Sequence, residues 1–241
     1  MNILRWEMSV RAKLMIYNID CMEFMKKQPP NSYHTILTDI PYGEVSRDNN
    51  GLSCMKNSQL GSADEMGFDL NEFLKEVYRL ATDNIIIFCG KGQFSTIHQF
   101  FDAKKGTVRQ LIYEKTNPVP SNGRYVYLSG IENAVWFRKP GGTFNAYCKN
   151  TVFRYPIQQP RIHKTEKNHL LLEELLKDNT NKGDTIFDPC MGSGSIGLAV
   201  YRLGGADSLG VNWIRKVFLQ LKQGLTNLGM NWRVMENELY S

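Results

Sequence analysis

Short apolar, β-branched runs alternate along this chain with segments of helical period, and few folds accommodate that alternation. Residues 14–19 (LMIYNI), 34–39 (HTILTD), 84–89 (NIIIFC), 184–188 (DTIFD) and 208–212 (SLGVN) have the length and composition of strands. Residues 70–80 (LNEFLKEVYRL), 169–178 (HLLLEELLKD) and 195–203 (SIGLAVYRL) place apolar side chains three and four apart, so each presents one face to a sheet. Strands alternating with such helices predict an α/β fold, a mostly parallel central sheet with helices on both faces. Residues 108–115 (VRQLIYEK) and 132–139 (ENAVWFRK) break the pattern. They flank a turn-rich segment, 117–125 (NPVPSNGRY), and predict an antiparallel hairpin instead of another crossover.

At ~150 residues per domain, 241 residues hold one domain with insertions or two small ones, and with no repeat or long linker 1–241 reads as one. No apolar run reaches the ~18 residues of a membrane-spanning helix. Charges interrupt the apolar residues of the first twenty positions, unlike a secretory signal, so the expectation is a soluble, cytoplasmic protein. The cysteines Cys21, Cys54, Cys89, Cys148 and Cys190 include no C-x-x-C pair, and neither a disulfide framework nor a metal site is expected. The net charge of +5 is unevenly placed: residues 101–170 hold twelve Lys or Arg against four Asp or Glu, leaving −3 for the remainder. Such asymmetry points to a polyanionic partner touching that stretch, against the plainer alternative of a solvated basic face.

In an open parallel sheet, ligands bind outside the carboxyl ends of the strands. Three of the predicted strands end there in a signal: YNID at Asp20, ILTD at Asp39, and IFDPCMGSG through Asp188 into glycines. Gly192 and Gly194 permit a tight turn and close approach of a ligand, and Gly197 permits close helix packing. As a bare G-x-G-x-x-G this loop suggests a nicotinamide or flavin dinucleotide. That reading needs an acidic residue ~20 positions on, and the next strand ends in Asn212. Asp39-Ile40-Pro41-Tyr42 sets a carboxylate, a main-chain carbonyl and an aromatic face within four residues, able to bond an exocyclic amino group and stack on its ring. Its plain reading is a strand ending in a proline turn. Residues 43–67 follow without periodicity and predict a mobile loop on the catalytic side.

Taken in order, these motifs resemble those of the amino-group DNA methyltransferases that use S-adenosylmethionine, in the permuted arrangement whose catalytic motif precedes the glycine loop. Asp20-Cys21-Met22-Glu23 comes first, Asp39-Ile40-Pro41-Tyr42 stands for D-P-P-Y, and a segment like the hairpin from Val108 to Arg138 follows. His163-Lys164-Thr165-Glu166-Lys167-Asn168 stands for H-P-T-E-K-P, and Asp188 to Ser195 for D-P-F-M-G-S-G-T. The resemblance covers nearly the whole chain, and four motifs in order are far more specific than one. Ile40 departs from the family's first proline but keeps the carbonyl used there. Lys164 and Asn168 depart from the prolines of the fourth motif, and Asn212 from the acidic residue that receives the ribose.

The resemblance implies a Rossmann-like methyltransferase fold with S-adenosylmethionine as cofactor. Asp20 and Cys21 would lie at the cofactor's adenine, although Asp20 also reads as the cap of a helix starting at Met22. Thr165 and Lys167 would meet its methionine end. Asp188, Pro189, Met191, Gly192, Ser193, Gly194 and Ser195 would wrap it beside Asp39, with Asn212 and Trp213 at the ribose. Asp39 and the Ile40 carbonyl would accept from the amino group of a flipped-out adenine, held by Pro41 and stacked on Tyr42. DNA would meet Arg124, Lys139, Lys149, Arg154 and Arg161, its sequence read from a short segment, 138–162, or from the 43–67 loop. So short a recognition segment suits a homodimer. Adenine N6 is favoured over cytosine N4 because cytosine members more often carry serine at the position of Asp39. An RNA or protein methyltransferase, a dinucleotide oxidoreductase and a catalytically silent DNA-binding module are the rival readings, and restriction–modification is the expected setting.

Overall fold

The computed structural model describes residues 14–17, 19–42, 67–120, 124–157, 167–204, 207–211 and 232–235. Its elements are β1 (Leu14–Tyr17), α1 (Cys21–Lys27), β2 (Tyr33–Asp39), α2 (Leu70–Leu80), β3 (Ala81–Cys89), α3 (Lys91–Asp102) and β4 (Thr107–Lys115). They continue with β5 (Ile131–Arg138), β6 (Val152–Tyr155), α4 (His169–Asn179), β7 (Thr185–Asp188), α5 (Ser195–Leu203), β8 (Asp207–Val211) and β9 (Trp232–Met235). The strands form one sheet in the order β6-β4-β5-β3-β2-β7-β8-β1-β9. Every described neighbour pair is parallel except those of β5, which runs against β3 and β4.

Side chains of the central strands go alternately to two apolar layers. Ile36, Ile85, Ile87, Val135, Phe137 and Phe187 meet Phe24, Phe73, Leu74, Val77, Ile97 and Phe101 of α1, α2 and α3. Leu37, Ile86, Phe88, Trp136 and Ile186 meet Leu171, Leu172, Leu175, Leu176, Ile196 and Val200 of α4 and α5. Burial on both faces is why these strands read as continuous apolar runs. The result is a Rossmann-like α/β sandwich with helices on both sides of a mixed sheet.

Sequence and structure differ at several elements. The helix after Asp20 starts at Cys21 instead of Met22, with Asp20 Oδ1 accepting from the Glu23 amide at 2.9 Å. β3 begins at Ala81 because α2 ends directly into it. α3 escaped the sequence reading: its buried residues are Gln93, Ile97 and Phe101, one per turn, with Phe94 and Phe100 partly buried against the same core. Two edge strands, β6 and β9, have only four residues each, too short for a periodicity.

The 138–162 segment is described as far as residue 157. Arg138 ends β5, and Thr143 is tied to Asp83 while Asn145 bonds the last turn of α4, so residues 139–145 lie at the amino ends of the parallel strands. Residues 152–155 then add β6 to the sheet edge. Residues 139–145 are therefore packed at the end of the sheet away from Asp39, whereas β6 runs parallel to β4 and ends at the Asp39 side.

Candidate active site

The chain moves from β2 outward to β3 on one side, and from β7 outward to β8 on the other. That reversal makes the carboxyl ends of β2 and β7 the switch point of the sheet, where a crevice opens. Asp39 ends β2 and Asp188 ends β7. The tetrapeptide that leaves β2 is fastened from below. The Ile40 amide donates to the Phe88 carbonyl at 3.2 Å, extending the β2–β3 pairing by one residue. Gln93 Nε2 donates to the Pro41 carbonyl at 2.8 Å, while Gln93 Oε1 accepts from the Gly90 amide at 2.9 Å. A Cβ on Gly90 would stand 3.1 Å from Tyr42 Cβ and 3.2 Å from the Tyr42 carbonyl, so the glycine admits the close passage of Tyr42 over the end of β3.

Lys167, just before α4, enters this tetrapeptide from above. Its ammonium binds Asp39 Oδ2 at 2.8 Å, the Tyr42 hydroxyl at 2.8 Å and Glu132 Oε2 at 2.6 Å. Glu132, the second residue of β5, also pairs with Lys115 at 2.7 Å. An ammonium has three protons, and three acceptors take them here. Lys167 was expected at the methionine end of the cofactor; in the structure its ammonium is engaged with Asp39 and Tyr42 of the tetrapeptide and with Glu132 of β5. Asp39 Oδ1, by contrast, is buried with no hydrogen-bond partner among the described residues. Burial pushes the Asp39 carboxyl above the usual range, opposed by Lys167. Glu132 is held down to about 2: its two lysines outweigh its burial. Neither Glu132 nor Gln93 carried a sequence signal, because each belongs to an ordinary strand or helix segment.

The glycine loop is a second constructed feature. Gly192 and Gly194 have φ of 49° and 77°, a left-handed backbone that favours glycine, and Gly194 caps α5. Asp188 Oδ1 accepts from the Thr38 hydroxyl at 2.8 Å and from the Cys190 amide at 3.2 Å, joining the loop to β2. Its Oδ2 is buried without a partner among the described residues, and burial lifts this carboxyl to about 7. The Cys190 thiol, hydrogen-bonded to Cys21 and buried, is held well above the ordinary thiol range. That contact joins the loop to the first turn of α1. Pro189, Met191 and Gly194 are buried, while Gly192 is exposed and Ser193 and Ser195 are half-buried with their hydroxyls 3.2 Å apart. Asp20, Cys21, the loop and Asp39 thus line neighbouring strand ends. Thr165, Asn212, Trp213, Arg161 and the loop residues 43–66 lie outside the described residues.

The basic residues separate by location. Arg124 leaves the β4–β5 turn at the Asp39 end of the sheet, its guanidinium 5.7 Å from the ring centre of exposed Tyr125. Arg154 is exposed on β6 and paired with Glu114 at 2.9 Å. Lys139, expected at DNA, donates instead to the Tyr78 and Ala81 carbonyls at 2.7 and 2.6 Å, closing the α2–β3 junction at the far end. Lys149, also expected there, is clamped by Glu174 and Asp178 of α4. Among the described residues no helix is long and apolar enough to cross a membrane, and no cluster of His, Cys, Asp or Glu could hold a metal ion.

A Rossmann-like sheet carrying a glycine loop at one switch-point strand and Asp-Ile-Pro-Tyr at the other is the arrangement expected of an S-adenosylmethionine-dependent methyltransferase. Its relatives agree. The family model N6_N4_Mtase, DNA methylase, matches residues 144–213. The Type II methyltransferase M2.DpnII of Streptococcus pneumoniae is 23% identical over 226 residues, covering 80% of this chain and 83% of that protein. The Type II methyltransferase M2.MboI of Moraxella bovis is 26% identical over 215 residues, covering 76% and 77%. The crystal structure of the M1.HpyAVI–SAM complex matches with a TM-score of 0.67 at 25% identity, over 88% of this chain and all of that one. The chain is thus similar to DNA amino-methyltransferases, and the likeness to a structure solved with S-adenosylmethionine supports that cofactor.

Proposed function

We propose that the protein methylates N6 of adenine in a flipped-out nucleotide of DNA. The observation that carries this reading is the buried, unpartnered Asp39 Oδ1 beside the Tyr42 ring at the switch point. A buried carboxylate oxygen without a donor is costly unless a ligand supplies one, and an exocyclic amino group is such a donor. The residues here suit the cofactor. A left-handed glycine turn leaves room for a ligand to approach the backbone, and Asp20 uses Oδ1 for its helix cap, leaving Oδ2 for an adenine amino group. S-adenosylmethionine, when bound, supplies an electrophilic methyl group on a sulfonium.

The protein's task is to make the amino nitrogen nucleophilic. Its lone pair is conjugated into the ring. Asp39 Oδ1 and the Ile40 carbonyl accept its two N–H bonds, favour a pyramidal nitrogen and aim the lone pair along the transfer path. Once the N–CH3 bond has formed, nitrogen must lose a proton. Asp39 is suited to take it, because burial raises its affinity for protons. Tyr42 replaces part of the stacking lost when the base leaves the duplex.

Incubating the protein with unmethylated bacterial genomic DNA and methyl-labelled S-adenosylmethionine, followed by digestion to nucleosides, tests the reading. Label is expected in N6-methyladenine, with Asp39→Ala folded and silent. Label in N4-methylcytosine overturns the adenine assignment, and a folded Asp39→Ala with normal turnover overturns the site.

A further inference from the structure

The five side chains of the Lys167 cluster come from five places in the chain: the end of β2, the turn beyond it, the end of β4, the start of β5 and, for Lys167 itself, the residue two before α4. Helix packing does not need them to meet. We infer that Lys167 is a positioning residue that fixes the catalytic carboxylate and the stacking ring together, with Glu132 and Lys115 holding it in place. The inference rests on the methyl-transfer reading above.

The geometry carries it. Lys167 binds one oxygen of Asp39 and leaves Oδ1 as the oxygen that can face a base. The same ammonium binds the Tyr42 hydroxyl and lies 5.2 Å from the centre of its ring, so the ring plane is set relative to the carboxylate. A lone lysine could instead fold onto Asp39 with both oxygens engaged. Glu132 at 2.6 Å draws it back, and Lys115 at 2.7 Å holds the other Glu132 oxygen. Two carboxylates and two ammoniums make a neutral cluster.

Opposite electrostatic effects on Asp39 distinguish this role from a structural one. The charged or titratable groups facing Asp39 are Lys167 above it, Tyr42 beside it, Glu132 on β5, Asp188 on β7 and Cys89 at the end of β3. Removing Lys167 leaves burial and the acidic neighbours to favour protonated Asp39. Removing the charge of Glu132 does the reverse.

Turnover is measured against pH with labelled S-adenosylmethionine and unmethylated genomic DNA, for the full chain and for Lys167→Met, Lys167→Arg and Glu132→Gln. Lys167→Met is expected to lower kcat roughly 100-fold, the scale of a misplaced reacting group. Its acid limb should move about one pH unit or more upward. Glu132→Gln is expected to lower kcat several-fold and move the limb downward, and Lys167→Arg should retain more activity than Lys167→Met. Limbs that stay in place, or move in the same direction in Lys167→Met and Glu132→Gln, overturn the inference. If Lys167→Met does not fold, the isosteric Glu132→Gln decides alone: a limb that moves down supports the inference, and one that is unmoved or moves up overturns it. A wild-type protein that transfers no methyl group overturns the methyl-transfer reading, and the inference with it.

Discussion

Asp188 is a carboxyl group buried at the end of a central strand, with one oxygen used twice and the other without a partner among the described residues. Burial lifts it to about 7, while in the unfolded chain it titrates near ~3.9. A carboxyl raised in the folded state stabilises the fold below its unfolded pKa and loses that contribution as pH rises through its folded one. Stability without cofactor should therefore fall between about pH 4 and pH 7 on account of this residue. Asp188→Asn keeps an oxygen for Thr38 and Cys190 and removes the charge. Thermal melts across that range should be flatter for the mutant than for the wild type, with the mutant gaining several degrees at pH 8, on the usual scale of a few degrees per kcal/mol. Parallel pH curves for the two proteins would show that Asp188 titrates in the ordinary range.

At the scale of elements, α3 has two separable tasks. Phe101 packs against Phe137 with ring centres 5.0 Å apart and fills the layer beneath β3 and β5. Gln93, two turns earlier on the same face, reaches the Pro41 carbonyl. Phe101→Ala should cost ~3–5 kcal/mol of stability, with little change in the turnover of folded protein at 25 °C. Gln93→Ala should cost less, ~1–3 kcal/mol, yet lower turnover several-fold, because Asp-Ile-Pro-Tyr is no longer fastened to the end of β3. Melting temperature and turnover measured on both variants check the contrast, and a Gln93→Ala protein of full activity would detach α3 from the site. None of this was legible in the sequence. α3 buries one residue per turn, one of them the polar Gln93, so its apolar stripe is narrow, whereas α2 and α4 bury wide apolar stripes and were plain.

For the whole molecule, the basic excess of residues 101–170 mattered less than where the fold puts each charge. Lys139 and Lys149 are tied to carbonyls and carboxylates, while Arg124 stands at the Asp39 edge among exposed Tyr125, Val126 and Tyr127. DNA affinity should fall steeply with salt, and Arg124→Glu should weaken binding more than Lys75→Glu on the exposed face of α2. Titrations at two salt concentrations test this. An equal loss in both variants would move the DNA surface away from the β4–β5 turn. The sequence by itself determined the layered α/β class, the hairpin, the strand-end Asp39 and the glycine turn. Those features are written in local periodicity and in residues whose backbone preferences act over a few positions. Only the tertiary structure decided that Lys167 meets Tyr42 across 125 positions, that Glu132 completes the cluster, and that most of residues 139–149 face away from the site. Such contacts depend on strand order and crossover direction, and a side chain's own neighbours in sequence carry no record of them.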